Sequence, residues 1–248
     1  MRGNPFKLSL AWCDLSDNNI TSIGANDLSF LTNLEELYLQ GNNLNSIHLN
    51  AFHDNRDLIT INLSDNPIAT LEDELFKETK KLETVNLSHT QLSTLPDNIF
   101  QDVKCLKNLD LSWNNFSVVI DVFKTLGCLE VVKLGGNAFA SVGSIQLDFN
   151  ELRNLVELDI SHNKFTTFQT NVLSSLSSLQ KLNIANNPFD CTCDLLSFRN
   201  ELVTLETSNV EFEDRNDVNC SNAPSVNLLD QASERFWCKH ELYNLYYE

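Results

Sequence analysis

Apolar residues recur along this chain in a fixed frame, LxxLxLxxNxL, that opens at Leu10, Leu34, Leu58, Leu82, Leu106, Leu129, Leu155 and Leu179. Successive frames start 24 residues apart, apart from one interval of 23 and one of 26. A period of this length marks a repeat architecture, in which one unit is too small to bury its apolar face and must stack on its neighbours. Within each frame apolar and polar residues alternate, the period-two signature of a half-buried strand. Each repeat therefore predicts one short parallel strand, and stacking at about 4.8 Å per strand gives a ladder on the order of 40 Å long.

Three apolar columns are expected to face inward. The third apolar position of each frame holds Leu15, Leu39, Leu63, Leu87, Leu111, Leu134, Ile160 and Ile184. A second column is Ile23, Ile47, Leu71, Leu95, Val119, Val142 and Phe168, and a third, rich in phenylalanine, is Leu28, Phe52, Phe76, Phe100, Phe123, Phe149 and Leu173. The phenylalanines read as core and not as a ligand stripe, because every repeat has an apolar residue there. An amide column runs through Asn18, Asn42, Asn66, Asn114, Asn137, Asn163 and Asn187, with Thr90 as its one exception. Where the chain leaves the strand, buried backbone groups lose their ladder partners, and an amide side chain can both donate to and accept from them. Thr90 offers only a hydroxyl, so its turn is expected to be held less tightly.

Recognition is left to the outward strand positions, since the inward ones are spent on shape. These are Asp14, Tyr38, Asn62, Asn86, Asp110, Lys133, Asp159 and Asn183, flanked by Trp12, Glu36, Thr60, Thr84, Asn108, Val131, Glu157 and Lys181. Trp12, Tyr38 and Trp113 are candidate anchors, because aromatic residues carry a large share of interface energy. Asp110, Lys133 and Asp159 are candidate polar contacts. Trp12 has the alternative of packing against an edge of the solenoid. His89 and His162 stand in equivalent positions three repeats apart and read as solvated loop residues in preference to a joint pH sensor.

After the eighth frame the text changes to NPFDCTCDLLSFRNEL, followed by Cys220 and Cys238. A solenoid end exposes its core edge and needs a terminal unit with a polar outer face. Residues 190–248 are suited to that, with Leu195, Leu196, Phe198, Leu202 and Leu205 forming an amphipathic helix over the last coil. Cys191 and Cys193 are too close to bond to each other without strain, which leaves two connectivities among four cysteines. A zinc site is the weaker alternative, since CxC lacks the usual CxxC spacing. Disulfides here imply an oxidising compartment. Cys13 reads as a buried thiol. Cys105 and Cys128 immediately precede the first leucines of adjacent frames; free thiols are the favoured reading and a bond between them the alternative. The division expected is 1–9 as an N-terminal edge, truncated or foreign, 10–189 as eight repeats, and 190–248 as the cap.

Composition narrows the partners. A formal charge of −17, from 17 basic and 34 acidic residues, makes nucleic acid a poor ligand at neutral pH. The sequence holds no apolar run of about 18 residues, so any membrane attachment would have to come from a segment outside it. No HExxH, GxSxG or GxxxxGK[ST] motif occurs. A curved solenoid offers a broad surface in place of a pocket, so the expectation is a binding protein without cofactor, metal or catalytic residues. Sequons occur at Asn19, Asn62, Asn86, Asn115 and Asn219. Asn62 and Asn86 fall on the strand face, where glycans would obstruct repeats three and four and redirect binding to lateral loops or the cap.

The eight frames with their phenylalanine column resemble the typical extracellular leucine-rich repeats. The segment NPFDCTCD with Cys220, Cys238 and the tail CKHELYNLYYE is similar to the C-terminal cap of Toll-like receptor ectodomains. The resemblance covers residues 8–248 and implies an α/β repeat solenoid: a horseshoe with a parallel concave sheet and a disulfide cap. It also implies pairing of Cys191 with Cys220 and of Cys193 with Cys238. In such receptors a ligand brings two ectodomains together outside the membrane. The expected function is thus that of an extracellular ligand-recognition and dimerisation fragment of an innate immune receptor, at the cell surface in preference to the endosome. Its partners would be a protein or microbial macromolecule and a second receptor copy. The alternative is a secreted or cell-surface adhesion or antigen-binding protein like the lamprey variable lymphocyte receptors, without signalling.

Overall fold

The computed structural model describes residues 10–103, 105–118, 122–141, 152–168 and 173–230. Each frame folds into a three-residue strand, and the strands lie side by side in chain order. They are β1 (Trp12–Asp14), β3 (Glu36–Tyr38), β5 (Thr60–Asn62), β6 (Thr84–Asn86), β7 (Asn108–Asp110), β8 (Val131–Lys133), β9 (Glu157–Asp159) and β10 (Lys181–Asn183). A ninth, β11 (Glu211–Phe212), continues the same parallel sheet beyond the last frame. On a second flank β2 (Ser22–Ile23) pairs with β4 (Ser46–Ile47). The register is one repeat per strand throughout: Tyr38 faces Asn62, Asn62 faces Asn86, and Asn86 faces Asp110. The frame-shortening interval of 23 residues is absorbed without a slip, since Asp110 still pairs with Lys133.

The middle residue of each strand from β3 to β10 is fully buried, and the flanking pair is more exposed in β3 to β9. Behind the sheet lie the expected columns. From Leu39 to Ile184 the third frame position is excluded from solvent, while Leu15 in the first turn is only partly covered. Phe52, Phe76 and Phe100 stack in parallel with centroids 5.9 and 5.7 Å apart. Phe116 and Phe139 continue the theme elsewhere in the core, 6.5 Å apart. Val119, Val142 and Phe149 lie outside the described residues. Each buried phenylalanine removes on the order of 2–3 kcal/mol worth of apolar surface from water, and none of that is available to a turn standing alone.

The returning segments are mostly turns. Helix is confined, among the described residues, to three short 3-10 turns and α1 (Leu196–Thr207). α1 seats Phe198 and Leu202 on the last coil, with Phe198 stacked on Phe168 at 4.3 Å. Cys191 is bonded to Cys220, and a backbone bridge between Phe189 and Cys220 ties the same two segments. Cys238 lies outside the described residues, so the Cys193 pairing has no structural counterpart here.

Two cysteine expectations need correction. Cys105 and Cys128, favoured as free thiols, form a disulfide with their Cα atoms 5.0 Å apart. Parallel stacking in register sets neighbouring coils about that far apart at every equivalent position, so two cysteines one repeat apart meet by default. Cys13, expected to be buried, is half-covered because β1 is the outermost strand of its sheet. Burial and, less strongly, the Asp14 carboxylate raise its thiol pKa.

The asparagine column is a hydrogen-bond ladder. Asn66 Nδ2 donates to the carbonyls of Leu63 and Ser64 in its own turn and of Leu39 one turn back, and its Oδ1 accepts from the Leu44 N–H. Asn42, Asn114, Asn137 and Asn163 repeat this pattern. At Thr90 the ladder changes. Its hydroxyl lies 3.1 Å from the Leu87 carbonyl and 2.5 Å from Asn114 Oδ1, and its single proton serves one acceptor at a time. The Ile68 N–H, which an asparagine would have received, turns back to the Asn66 carbonyl of its own coil. Thr90 is buried like the asparagines of the column, yet this inter-coil link is missing.

Candidate ligand-binding surface

The outward strand residues line one continuous face, and the structure separates those with a local duty from those without. At the end of six of the eight frame strands an Asp or Asn oxygen accepts the N–H of the residue two positions on. The pairs are Asp14 with Ser16, Asn62 with Ser64, Asn86 with Ser88, Asp110 with Ser112, Asp159 with Ser161 and Asn183 with Ala185. Such turns stabilise the exit from the strand. Asp110 and Asp159, picked out as polar contacts, are thus also turn residues. The serine two places after the acid, visible in the sequence, is the signal for that role. Hydrogen bonds from the Ser16 hydroxyl and backbone N–H lower the pKa of Asp14.

Tyr38 and Lys133 interrupt this series and use their reach differently. The Tyr38 hydroxyl donates to Glu36 Oε2 at 2.9 Å, and Lys133 Nζ lies 3.0 Å from Glu157 Oε1. Partial burial works against the lysine's charge. The hydrogen bond and charge of Glu157, with the Asp110 and Asp159 carboxylates, outweigh it and raise its pKa. Trp12 points outward from β1 and is 56% exposed, beside Tyr38 with ring centroids 6.3 Å apart. It does not pack into the core.

Trp113 lies elsewhere, on the flank where the chain leaves the sheet. The residues just before the amide column, Asp17, Gly41, Asp65, His89, Trp113, Gly136, His162 and Asn186, all have positive φ. Trp113 stacks on His89 at 5.7 Å and reaches His162 at 5.2 Å, two coils away. Gly136 makes this possible: a Cβ there would stand 2.5 Å from Trp113 Cδ2. His162 Nε2 in turn is 3.2 Å from Asn186 Nδ2. The two histidines are both exposed, as expected of loop residues, and the indole lies between them.

The sequon asparagines divide by location. Asn62 and Asn86 are half-buried on the sheet face, Asn19 and Asn115 are exposed on the flank loops, and Asn219 donates to the Asn216 carbonyl in the cap. Among the described residues no three His, Cys, Asp or Glu side chains gather to hold a metal ion, and no helix is long and apolar enough to cross a membrane.

A parallel-strand solenoid with an amide ladder defines a leucine-rich-repeat protein. The leucine-rich-repeat family model matches residues 9–68, 56–116 and 129–189, and the chain belongs to that family. It is similar to the human protein phosphatase 1 regulatory subunit 29, 37% identical over 57 residues that make up 23% of this chain and 7% of that protein. It is similar to the mouse CD180 antigen, 28% identical over an aligned stretch of 125 residues, with 41% of this chain and 18% of CD180 covered. Among solved structures it resembles a chain of the Drosophila Toll–Spatzle complex, with a TM-score of 0.60 and 25% identity, over 76% of this chain and 28% of that one. The chain therefore spans only a small part of the length of these relatives, and it is related to Toll and CD180.

Proposed function

We propose that this chain is the ligand-recognition and dimerisation portion of an extracellular Toll-like innate immune receptor, and that it is a binding module and not an enzyme. The carrying observation is the unbroken nine-stranded sheet, which sets a varied outward face on a uniform core. Its disulfides suit an oxidising exterior. The similarity to a chain of the Toll–Spatzle complex supports binding of a protein ligand, and in this reading the ligand, a protein or microbial macromolecule, brings two copies together.

Light scattering on glycosylated protein, with and without candidate protein and microbial ligands, tests this reading. Ligand-dependent doubling of mass is expected. A monomer indifferent to every ligand overturns it. Peptide mapping adds a second reading: glycans at Asn62 and Asn86 would cover the middle of the sheet and direct contacts to its two ends, the flank carrying Trp113, or the cap.

A further inference from the structure

The two ends of the concave sheet are both acidic but are built differently. Toward the cap, Lys133 pairs with Glu157 at 3.0 Å and Lys181 approaches Glu213 at 3.9 Å, so charge there is partly balanced. At the opposite end Asp14 and Glu36 stand on neighbouring strands, and among the described residues no Lys, Arg or His forms an ion pair with either. Two aromatic rings share this patch. Trp12 pairs in register with Glu36 and Asp14 with Tyr38, so carboxylates and rings alternate over four adjacent positions.

The rings are tilted 55° to one another, and Trp12 is among the most exposed large apolar side chains described. An open indole beside carboxylates is the arrangement that attracts an organic cation: the ring faces are negative and the carboxylates accept hydrogen bonds. The Glu36 hydrogen bond, burial, and the charges of Glu36 and Asp14 together raise the Tyr38 phenol pKa, a sign of how negative the patch is. A divalent metal fits poorly, since two carboxylates and two aromatic rings do not supply its oxygen shell and the described residues hold no metal-binding group of three.

We propose that Trp12, Tyr38, Asp14 and Glu36 form a docking point for an arginine or lysine side chain in a basic segment of the receptor's protein ligand. This deepens the receptor reading and rests on it. Charge complementarity carries it: a chain of net charge −17 attracts basic partners over its whole surface, and here the attraction has an end point with aromatic walls that no cation among the described residues pairs with. Asn62, the register partner of Tyr38 on the next strand, bounds the point on one side.

Fluorescence anisotropy of a labelled arginine–glycine repeat peptide with the full disulfide-bonded chain tests the docking point. Peptides with citrulline or glutamate in place of arginine are the controls. The arginine peptide alone is expected to bind. Trp12→Ala is expected to weaken it about fivefold and Asp14→Asn/Glu36→Gln about tenfold, with unchanged thermal melting; Glu211→Gln/Glu213→Gln, at the other end, should change it less than twofold. Equal losses from the two acidic ends, or full affinity in Trp12→Ala, would show a diffuse attraction and overturn the docking point. Ligand-driven pairing that persists undiminished in Trp12→Ala would also sink it while leaving the receptor reading intact.

Discussion

The asparagine side chain at the exit of every frame strand but one can donate twice and accept twice, and the solenoid uses most of that capacity. Removing the Asn66 amide strands the Leu63 carbonyl and the Leu44 N–H and takes one of two donors from the carbonyls of Leu39 and Ser64. Asn66→Ala is expected to cost about 3 kcal/mol, read by urea denaturation. The reverse change at the exceptional turn should help: Thr90→Asn is expected to add about 1 kcal/mol by recovering the Ile68 N–H and the Leu63 carbonyl. An unchanged or lower midpoint would show that the pocket around Thr90 has closed to an amide. At Gly136 the backbone has φ +69° and the space belongs to Trp113. Gly136→Val should lose at least about 1 kcal/mol and shift the tryptophan emission as the indole is displaced. The half-covered Cys13 thiol should alkylate more slowly than a free cysteine at neutral pH and catch up only as the medium becomes more alkaline, because its pKa is raised. Alkylation at the rate of a free cysteine at neutral pH would contradict that.

The strands were legible because an inward leucine, isoleucine or valine recurs at one fixed offset, and register follows from that offset alone. Less of the connecting structure was legible. β11 has two residues and no alternation, and its place is set by pairing with β10 instead of by its own pattern. Cys105 and Cys128 illustrate the same limit from the other side: each lies in its own turn, and only the stacking brings them together. The bond closes a separation of 23 residues between coils. Replacing both cysteines with serine is expected to lower stability by about 3 kcal/mol, measurable as a drop in the melting midpoint under non-reducing conditions.

Across the whole molecule, the candidate surface divides along the same line. The outward strand positions could be read directly, so Trp12, Tyr38, Lys133, Asp110 and Asp159 sit on the sheet face where the alternation put them. The grouping of His89, Trp113 and His162 could not, because it depends on positive-φ turns that aim side chains along the flank and on a glycine that leaves a gap. Sequence spacing measures distance along the chain, whereas successive coils are separated by about 5 Å. Residues two repeats apart in sequence are therefore near neighbours whenever the one between them is small.

A stack of coils fastened by one repeated clasp resembles a zipper with a tooth missing. Drawn apart along its length by optical tweezers, the array should open first where Ile68 has turned away from Thr90, splitting into an upper and a lower segment of unequal length. Thr90→Asn, by filling that gap, should merge the two rupture events into one at higher force.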